Sequence, residues 1–328
     1  MANGLHEAMP PPDAIIGHTG FVGSILCHQR AFQRQFNSKN IDQIRYETFG
    51  TVVCAAAPGS MVTANRDPDR DEAAIAALIE HLKKMQAECL VLISSIAVLA
   101  DFASGSDEDA DDFQTTLAYG RHRRMLEEFC ESHFERSLIV RLPALFGPGL
   151  RKNFIFDLIN PVPSMLTEAR FKELFDRLSV EQAKSLRAYY HPNAATGMVV
   201  LDRAAFDNDP RCHELGAAVD ALEMSSKQFH NPKAEYQYYD LARLWSDIEV
   251  ASKAELSNVH LAVAPLRADA IHQCLLGKPM PQTGARLHKE DMRTKHAALW
   301  GKDGPYLEEA EVVLDKLTDF YAHETNAP

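Results

Sequence analysis

The fold of this chain is decided near its N-terminus, by the stretch Asp13-Ala14-Ile15-Ile16-Gly17-His18-Thr19-Gly20-Phe21-Val22-Gly23. A short apolar run leads into three glycines spaced three apart, and Ile25, Phe32 and Phe36 then follow at helical spacing. This order predicts a strand, a tight turn and a helix over residues 24–36. The first glycine permits the turn, the second lets a diphosphate approach the backbone, and the third lets helix and strand pack closely. A glycine turn that binds no ligand is the alternative.

Apolar runs alternate with helix-period segments as far as Gly149. Thr51–Ala57, Cys89–Ser95 and Ser137–Leu142 are typical of strands, and the segments between them, 71–85 and 118–132, have the spacing of helices. Continuous apolar strands alternating with helices imply a parallel sheet covered on both faces. We therefore predict an α/β fold with a doubly wound parallel sheet.

The hydrophobic pattern changes after Gly149. Amphipathic segments such as 168–177 and 180–189 predict helices without buried strands between them. Four parts are predicted in chain order: a disordered leader over 1–12, a nucleotide-binding domain over 13–149, a mainly helical substrate lobe over 150–235, and returning strands with C-terminal helices over 236–328.

Composition excludes several classes of protein. The 34 basic and 46 acidic residues give a net charge of −12, and no basic run could neutralise a nucleic-acid backbone. No apolar stretch reaches the roughly 20 residues that cross a bilayer. The six cysteines lie far apart, without zinc-site spacing, which predicts a reducing, cytoplasmic location and no metal. The acidic patch 104–112 is predicted to be a solvated loop, because its like charges repel one another.

The glycine turn carries a family resemblance. Gly17-His18-Thr19-Gly20-Phe21-Val22-Gly23 resembles the TGxxGxxG motif of the extended short-chain dehydrogenase/reductases, the group of NAD-dependent epimerases and dehydratases. The resemblance implies a Rossmann-type fold and a bound NAD or NADP, with the diphosphate at the helix N-terminus. The cofactor contacts it predicts at the turn and after the second apolar run are Gly17, Thr19, Gly20, Phe21, Val22, Gly23, Ala55, Ala56 and Ala57.

The choice between NAD and NADP depends on the residues after Phe36. Relatives that use NAD usually place an acid at the end of the second strand, whereas this chain has Asn37, Ser38 and Lys39. A 2′-phosphate is therefore tolerable, and Lys39 or Arg34 could pair with it, which favours NADP. A plain polar turn is the alternative. Only about 27 residues separate the glycine turn from Thr51, so the adenine side of the sheet is predicted to be shortened.

A second match supplies candidate catalytic residues. The sequence after Cys89 resembles the family segment SSxxVYG, which puts the catalytic hydroxyl on Ser95, and Tyr119 to Arg123 stands in the place of YxxxK. A cation four residues along a helix lowers the pKa of a tyrosine. Arg123 can supply that field, but it cannot relay protons, and the ring of His122 is expected on another helix face. The alternative is an ordinary surface contact.

Residues 141–149, Arg-Leu-Pro-Ala-Leu-Phe-Gly-Pro-Gly, resemble the RxxxxYGPG signature of the extended subgroup. The resemblance makes Pro143, Ala144 and Leu145 candidate neighbours of the nicotinamide and Asn153 a candidate substrate contact. A proline–glycine turn without a ligand is the alternative.

Together these residues predict hydride-transfer chemistry on a sugar or nucleotide-sugar secondary alcohol or ketone, as an epimerase or oxidoreductase, with Tyr119 as acid and base. Ile96 and Ala97 stand where dehydratases carry an Asp-Glu pair, which disfavours dehydration. Two alternatives stay open: a catalytically silent NAD(P)-binding protein, and an NADPH-dependent reductase of a non-sugar carbonyl. The resemblance implies a homodimer.

Overall fold

The computed structural model describes residues 10–194 and 196–326. The chain forms two compact units, each built from three segments. The first comprises Met1–Gly149, Gln237–Ala264 and Asp291–Glu309, and the second comprises Leu150–Tyr236, Pro265–Glu290 and Ala310–Pro328. Of the leader predicted over 1–12, residues 1–9 lie outside the described part of the chain.

Thirteen strands are found in the described residues: β1 (Ala14–Ile16), β2 (Arg34–Phe36), β3 (Thr48–Cys54), β4 (Gln86–Ser95), β5 (Ser137–Leu142), β6 (Ala144–Phe146), β7 (Met165–Leu166), β8 (Tyr190–Asn193), β9 (Met198–Leu201), β10 (Glu235–Tyr236), β11 (Tyr238–Asp240), β12 (Asn258–His260) and β13 (Leu266–Arg267). The α-helices over the same part of the chain are α1 (Phe21–Gln29), α2 (Met61–Arg66), α3 (Pro68–Leu82), α4 (Ala118–His133), α5 (Phe154–Ile159), α6 (Glu168–Arg177), α7 (Val180–Arg187), α8 (Arg203–Asp207), α9 (Cys212–Ala221), α10 (Leu244–Lys253), α11 (Ala268–Leu276) and α12 (Ala310–Asn326).

The first unit is built on a six-stranded sheet in the order β12-β5-β4-β3-β1-β2, and every strand pair in it is parallel. Parallel strands need covering on both faces, and the apolar runs of β3, β4 and β5 are buried accordingly. The predicted α/β parallel sheet is confirmed. The shortened adenine side is confirmed too, since the three-residue strand β2 forms the edge of the sheet.

The predicted helix over residues 24–36 is wrong in its second half. Helix α1 ends at Gln29, and Phe36 belongs to β2, where it pairs with Ile16 of β1. Phe36 is 1% exposed and packs in the main core beside Phe49. Phe32 contacts Trp245 instead, at 6.0 Å between ring centroids. Long-range pairing therefore overrides the helical spacing of these aromatic residues.

Helix α3, which comes after the short helix α2, begins with strong local signals. Asp67 accepts a hydrogen bond from the Arg70 backbone, and Pro68 occupies the first position of α3, where its missing N–H is not needed. Ile75 and Leu82 on this helix are buried against the sheet. These signals fix where α3 begins, and they place Asp71 in its first turn.

The prediction of a solvated loop over 104–112 is wrong for Glu108. Its side chain is 6% exposed and accepts hydrogen bonds from His260 N at 2.7 Å, Thr294 Oγ1 at 2.6 Å and Lys295 N at 2.9 Å. These donors offset the cost of burying the charge. Glu108 thus fastens the loop to strand β12 and to the segment that contains Thr294.

The second unit combines helices with two small sheets. Helices α6 and α7 lie where the amphipathic pattern predicts them and begin at the capping residues Thr167 and Ser179. The mainly helical lobe also contains an antiparallel sheet in the order β7-β9-β8 and the antiparallel pair β10-β13. Among residues 10–194 and 196–326, no helix has both the length and the apolar character needed to cross a membrane.

Candidate active site

The glycine turn is tightly built at the carboxyl end of β1. Gly17 has a φ of +93°, and a Cβ added there would lie 2.5 Å from the backbone oxygen of Ala55. A Cβ on Gly23 would collide with the Gly17 carbonyl oxygen. Helix α1 begins at Phe21, and its N-cap residue Gly20 offers no side-chain cap, so the N–H groups of the first turn are available to an anion. These features fit a dinucleotide diphosphate.

The residues after β3 complete the wall beside this turn. The Ala55 N–H donates to Ile16 O at 2.8 Å, and Ala55, Ala56 and Ala57 are partly exposed at the carboxyl end of the sheet. Their small side chains leave room where relatives with this fold hold a dinucleotide. Thr19 and Gly20 are exposed on the turn, and Phe21 and Val22 are half-buried.

A polar cluster follows the edge strand β2. The side-chain oxygen of Asn37 accepts from Lys39 N at 2.9 Å, while its Nδ2 lies 3.1 Å from His18 Nε2. Ser38 and Lys39 are exposed. His18 is a candidate that the sequence analysis did not name, and its place inside the glycine motif was the available signal. The cluster presents a cation and amide groups, which suits a phosphate better than a bare ribose.

The structure brings Ser95 and Tyr119 close together. Ser95 ends β4 and Tyr119 is in the first turn of α4, and the Ser95 hydroxyl is near enough to lower the pKa of the Tyr119 phenol. The start of α4 lies close to the segment after Ser95, because a Cβ on Gly120 would collide with Ala97 O. The Tyr119 N–H donates to Asn65 Oδ1 at 2.9 Å, which further fixes this turn.

Arg123 lies under the tyrosine, but most of its donors are engaged. Its Cζ is 4.0 Å from the centroid of the Tyr119 ring, and Nη1 donates to Tyr119 O at 3.3 Å. Nη1 also pairs with Asp71 Oδ2, and Nη2 donates to Pro58 O. The guanidinium is therefore a fixed, buried group whose charge is paired.

The expectation for His122 is wrong. Its Nδ1 lies 2.8 Å from Asp71 Oδ2, so the side chains of two adjacent residues of α4 converge on one carboxylate of α3. All three side chains are buried, at 2% exposed for His122, 3% for Arg123 and 5% for Asp71. Asp71 has no motif signal, and only its place on a packed helix brings it to this site.

Burial raises the pKa of Tyr119 above its usual value of 10.0. The charge of Arg123 and the hydrogen bond from Ser95 act in the opposite direction, and the Asp71 carboxylate adds to the rise. The net effect is that the phenol keeps its proton at neutral pH. A protonated phenol and a neighbouring serine hydroxyl can each donate one hydrogen bond to the same oxygen atom, and the phenol can pass its proton on.

The remaining candidates are at the end of β5 and beyond it. Pro143 is buried, and Ala144 and Leu145 are half-buried in β6, which pairs with β11. Asn153 belongs to the second unit, has a φ of +115° and caps helix α5 by accepting from Phe156 N at 3.1 Å. Nothing in these contacts assigns a ligand to Asn153. Within the described parts of the chain, no group of three or more His, Cys, Asp or Glu could hold a metal ion.

Comparison with known proteins agrees with this fold. Residues 36–191 match the model of the NAD dependent epimerase/dehydratase family. The matched region includes Ser95, Tyr119 and Arg123 and begins after the glycine turn. No curated protein matches the chain by sequence.

Solved structures with the same fold include three bacterial or archaeal enzymes. A dTDP-4-dehydrorhamnose reductase from Yersinia enterocolitica has a TM-score of 0.56 at 14% identity, with 94% of this chain and 99% of that chain covered. A UDP-N-acetylglucosamine 4-epimerase from Methanobrevibacter ruminantium, in complex with UDP-N-acetylmuramic acid, has a TM-score of 0.60 at 11% identity, with 95% of this chain and 97% of that chain covered. RMD from Pseudomonas aeruginosa complexed with NADPH has a TM-score of 0.60 at 12% identity, with 96% of this chain and 99% of that chain covered.

Proposed function

Since residues 36–191 of this chain belong to the NAD dependent epimerase/dehydratase family, we propose that the protein is an NAD(P)-dependent oxidoreductase or epimerase acting on a sugar or nucleotide-sugar secondary alcohol or ketone. The observation that carries the proposal is that the end of β4, which bears Ser95, packs against the first turn of α4, which bears Tyr119, at the carboxyl end of a sheet whose first strand runs into the glycine turn. Ligands of open parallel sheets bind at that end.

The proposed cofactor contacts are the backbone of the glycine turn, Ala55 to Ala57, and Pro143 to Leu145. When bound, the nicotinamide supplies or accepts a hydride. Ser95 and Tyr119 would both hydrogen-bond the substrate oxygen, and Tyr119 would exchange a proton with it. Arg123 would keep the phenol in place through its contact with the ring face. No carboxylate is available at Ile96 or Ala97, so the proposal does not include dehydration.

We favour NADP over NAD within this proposal. The support is the cluster of His18, Asn37 and Lys39, in which polar and cationic groups stand where an acid would repel a 2′-phosphate. The solved relative in complex with NADPH is compatible with this preference. We further propose Asn153 as a substrate contact. The cytoplasmic location and the homodimer stay predictions.

The test is turnover of reduced nicotinamide with a panel of nucleotide-linked ketosugars, followed by absorbance. Tyr119→Phe should lose at least about a hundredfold in turnover, the usual range for one acid–base group. Tyr46→Phe is the matched control, because Tyr46 is 86% exposed. Mass spectrometry of small molecules released on denaturation should find a nicotinamide dinucleotide.

A catalytically silent NAD(P)-binding protein is the second candidate, and one observation favours it. Arg123 is engaged by Asp71 and by Pro58 O, which leaves the guanidinium few donors for a ribose. Under this alternative the dinucleotide binds with unchanged affinity in Tyr119→Phe, and no ketosugar or small ketone is reduced by the wild type. A reductase of non-sugar carbonyls would instead turn over NADPH with small hydrophobic ketones.

A further inference from the structure

Asp71 is a buried carboxylate that the proposed chemistry does not use directly. It lies in the first turn of α3 and accepts from His122 and Arg123, the two residues of α4 that follow Tyr119 by three and four positions. Its side chain is 5% exposed. Burying a carboxylate costs free energy, so its place beside the helix that bears Tyr119 indicates a specific role.

Its effect on the site follows from charge pairing. An isolated guanidinium under a phenol would act as a full positive charge and would favour phenolate. When a carboxylate contacts that guanidinium, the two charges act on the phenol as a dipole, whose field falls off faster with distance. Asp71 is placed to have this effect, because Arg123 Nη1 contacts both Asp71 Oδ2 and the Tyr119 backbone oxygen.

We propose that Asp71 is a positioning residue that holds the Arg123 guanidinium under the Tyr119 ring and cancels its charge, so that Tyr119 works as the acid in carbonyl reduction. The proposal rests on the proposed function and deepens it, since it assigns the favoured direction of the reaction. In that direction Tyr119 would give its proton to the substrate carbonyl oxygen, a bound reduced nicotinamide would supply the hydride to the carbonyl carbon, and the phenolate would recover a proton from water.

The groups that face the phenol support this assignment. Ser95 comes from the end of β4, Arg123 from α4 and Asp71 from α3. Burial raises the pKa of Tyr119 and Asp71 adds to the rise, whereas Arg123 and Ser95 lower it, and the net direction is upward. His122 binds Asp71 through Nδ1, and its Nε2 lies 3.2 Å from Arg121 Nη2 and 3.7 Å from Glu72 Oε2. His122 therefore helps to hold the carboxylate in place.

The test measures the ionisation of Tyr119 without relying on activity. The full chain is labelled with tyrosine carrying carbon-13 at Cζ, and the Tyr119 resonance is assigned by its loss in Tyr119→Phe. In Asp71→Asn the titration midpoint of that resonance should fall by about one pH unit or more, as for the loss of a neighbouring charge. In Arg123→Gln it should rise.

Glu72→Gln is the matched control, because it removes the same charge from the adjacent position of α3, where the side chain is 54% exposed. Its midpoint should stay within about 0.3 units of the wild type. If Asp71→Asn unfolds, the double variant Asp71→Asn with Arg123→Gln removes both charges. Its midpoint should lie above that of the wild type, because Arg123 lowers the pKa of Tyr119 more than Asp71 raises it.

Two outcomes would overturn the proposal: an Asp71→Asn midpoint equal to that of the wild type, or a double variant whose midpoint falls. Failure of the proposed function looks different, because the midpoints would then shift as expected while no variant and no wild-type sample oxidises NADPH. If both hold, Asp71→Asn should move the alkaline limb of the pH profile of carbonyl reduction to lower pH by the shift seen in the titration.

Discussion

Arg141 and Glu127 form a fully buried, two-point ion pair between β5 and α4. Arg141 Nε donates to Glu127 Oε1 at 3.1 Å and Nη2 to Oε2 at 2.8 Å, with side chains 1% and 0% exposed. Ser94 Oγ, next to Ser95, donates to the same carboxylate at 2.5 Å. The pair thus fixes the helix that bears Tyr119 to the strand end that bears Ser95.

Removal of one partner should be costly, because it leaves a buried charge without compensation. We expect Glu127→Ala to lower the free energy of unfolding by about 3–5 kcal/mol. Glu128→Ala on the same helix is the control, since that side chain is 60% exposed and its ion pair with Arg124 should contribute under about 1 kcal/mol. Urea unfolding followed by circular dichroism measures both, and equal losses would contradict the interpretation.

Gly17 should tolerate no side chain. Gly17→Ala combines a positive φ with a collision against Ala55, so we expect it to destabilise the protein and to abolish NADPH binding. Gly301→Ala separates the two effects, because Gly301 has a φ of +69° and no atom within 4 Å of an added Cβ. That control should lose only about 1–2 kcal/mol and should bind NADPH normally in calorimetry. Similar behaviour of the two variants would argue against a tight turn at Gly17.

Stability should fall as the pH drops below neutrality. Burial lowers the pKa of His260 from its ordinary 6.5, so in the unfolded chain this imidazole takes up a proton at a pH where the folded one does not. The unfolded state then binds more protons, and the free energy of unfolding decreases as the pH falls through 6.5. Burial also lowers the pKa of His272, which adds in the same direction.

Denaturant titrations of His260→Gln between pH 7.5 and 5.5 should show a shallower dependence on pH than those of the wild type. Part of the slope should remain because of His272. His323→Gln, at a side chain that is 80% exposed, serves as the control. An unchanged slope in His260→Gln would mean that His260 is not linked to stability in this way.

Cofactor preference should depend on Asn37. In Asn37→Asp a carboxylate would face the 2′-phosphate beside His18, and we expect the affinity for NADPH relative to NADH to fall at least about tenfold, or ~1.4 kcal/mol. Gln35→Glu adds the same charge at an exposed position of β2 and is the control. Calorimetric titration with both dinucleotides gives the ratio, and an unchanged ratio would remove the support for NADP.

Local signals were sufficient for most of the first unit. Short segments of sequence predict the glycine turn before Phe21 and the buried runs of β4 and β5. A motif match also predicts the spacing from Ser95 to Tyr119. Helical spacing places Phe36 in a helix, because its partner Ile16 is 20 positions away and periodicity does not show strand pairing. Spacing alone is ambiguous for such short elements.

The electrostatics of the site could not be predicted in the same way. Asp71 and Arg123 are 52 positions apart, and an acid in the first turn of a helix is usually a favourable surface charge. Glu108 sits among exposed acids, and its donors come from Thr294, Lys295 and the backbone of His260. Only the packed structure distinguishes these two buried carboxylates from their solvated neighbours.

The brevity of strand β2 also bears on how molecules of this protein avoid one another. An open sheet edge offers unpaired backbone groups that can recruit a strand from a second molecule. Here the edge is only three residues long, and Asn40 Nδ2 donates to the Gln35 carbonyl oxygen at 3.1 Å. The short edge strand β2 therefore exposes few unpaired backbone groups with which a second molecule could pair. The Asn40 side chain, from the turn after β2, already binds one of them.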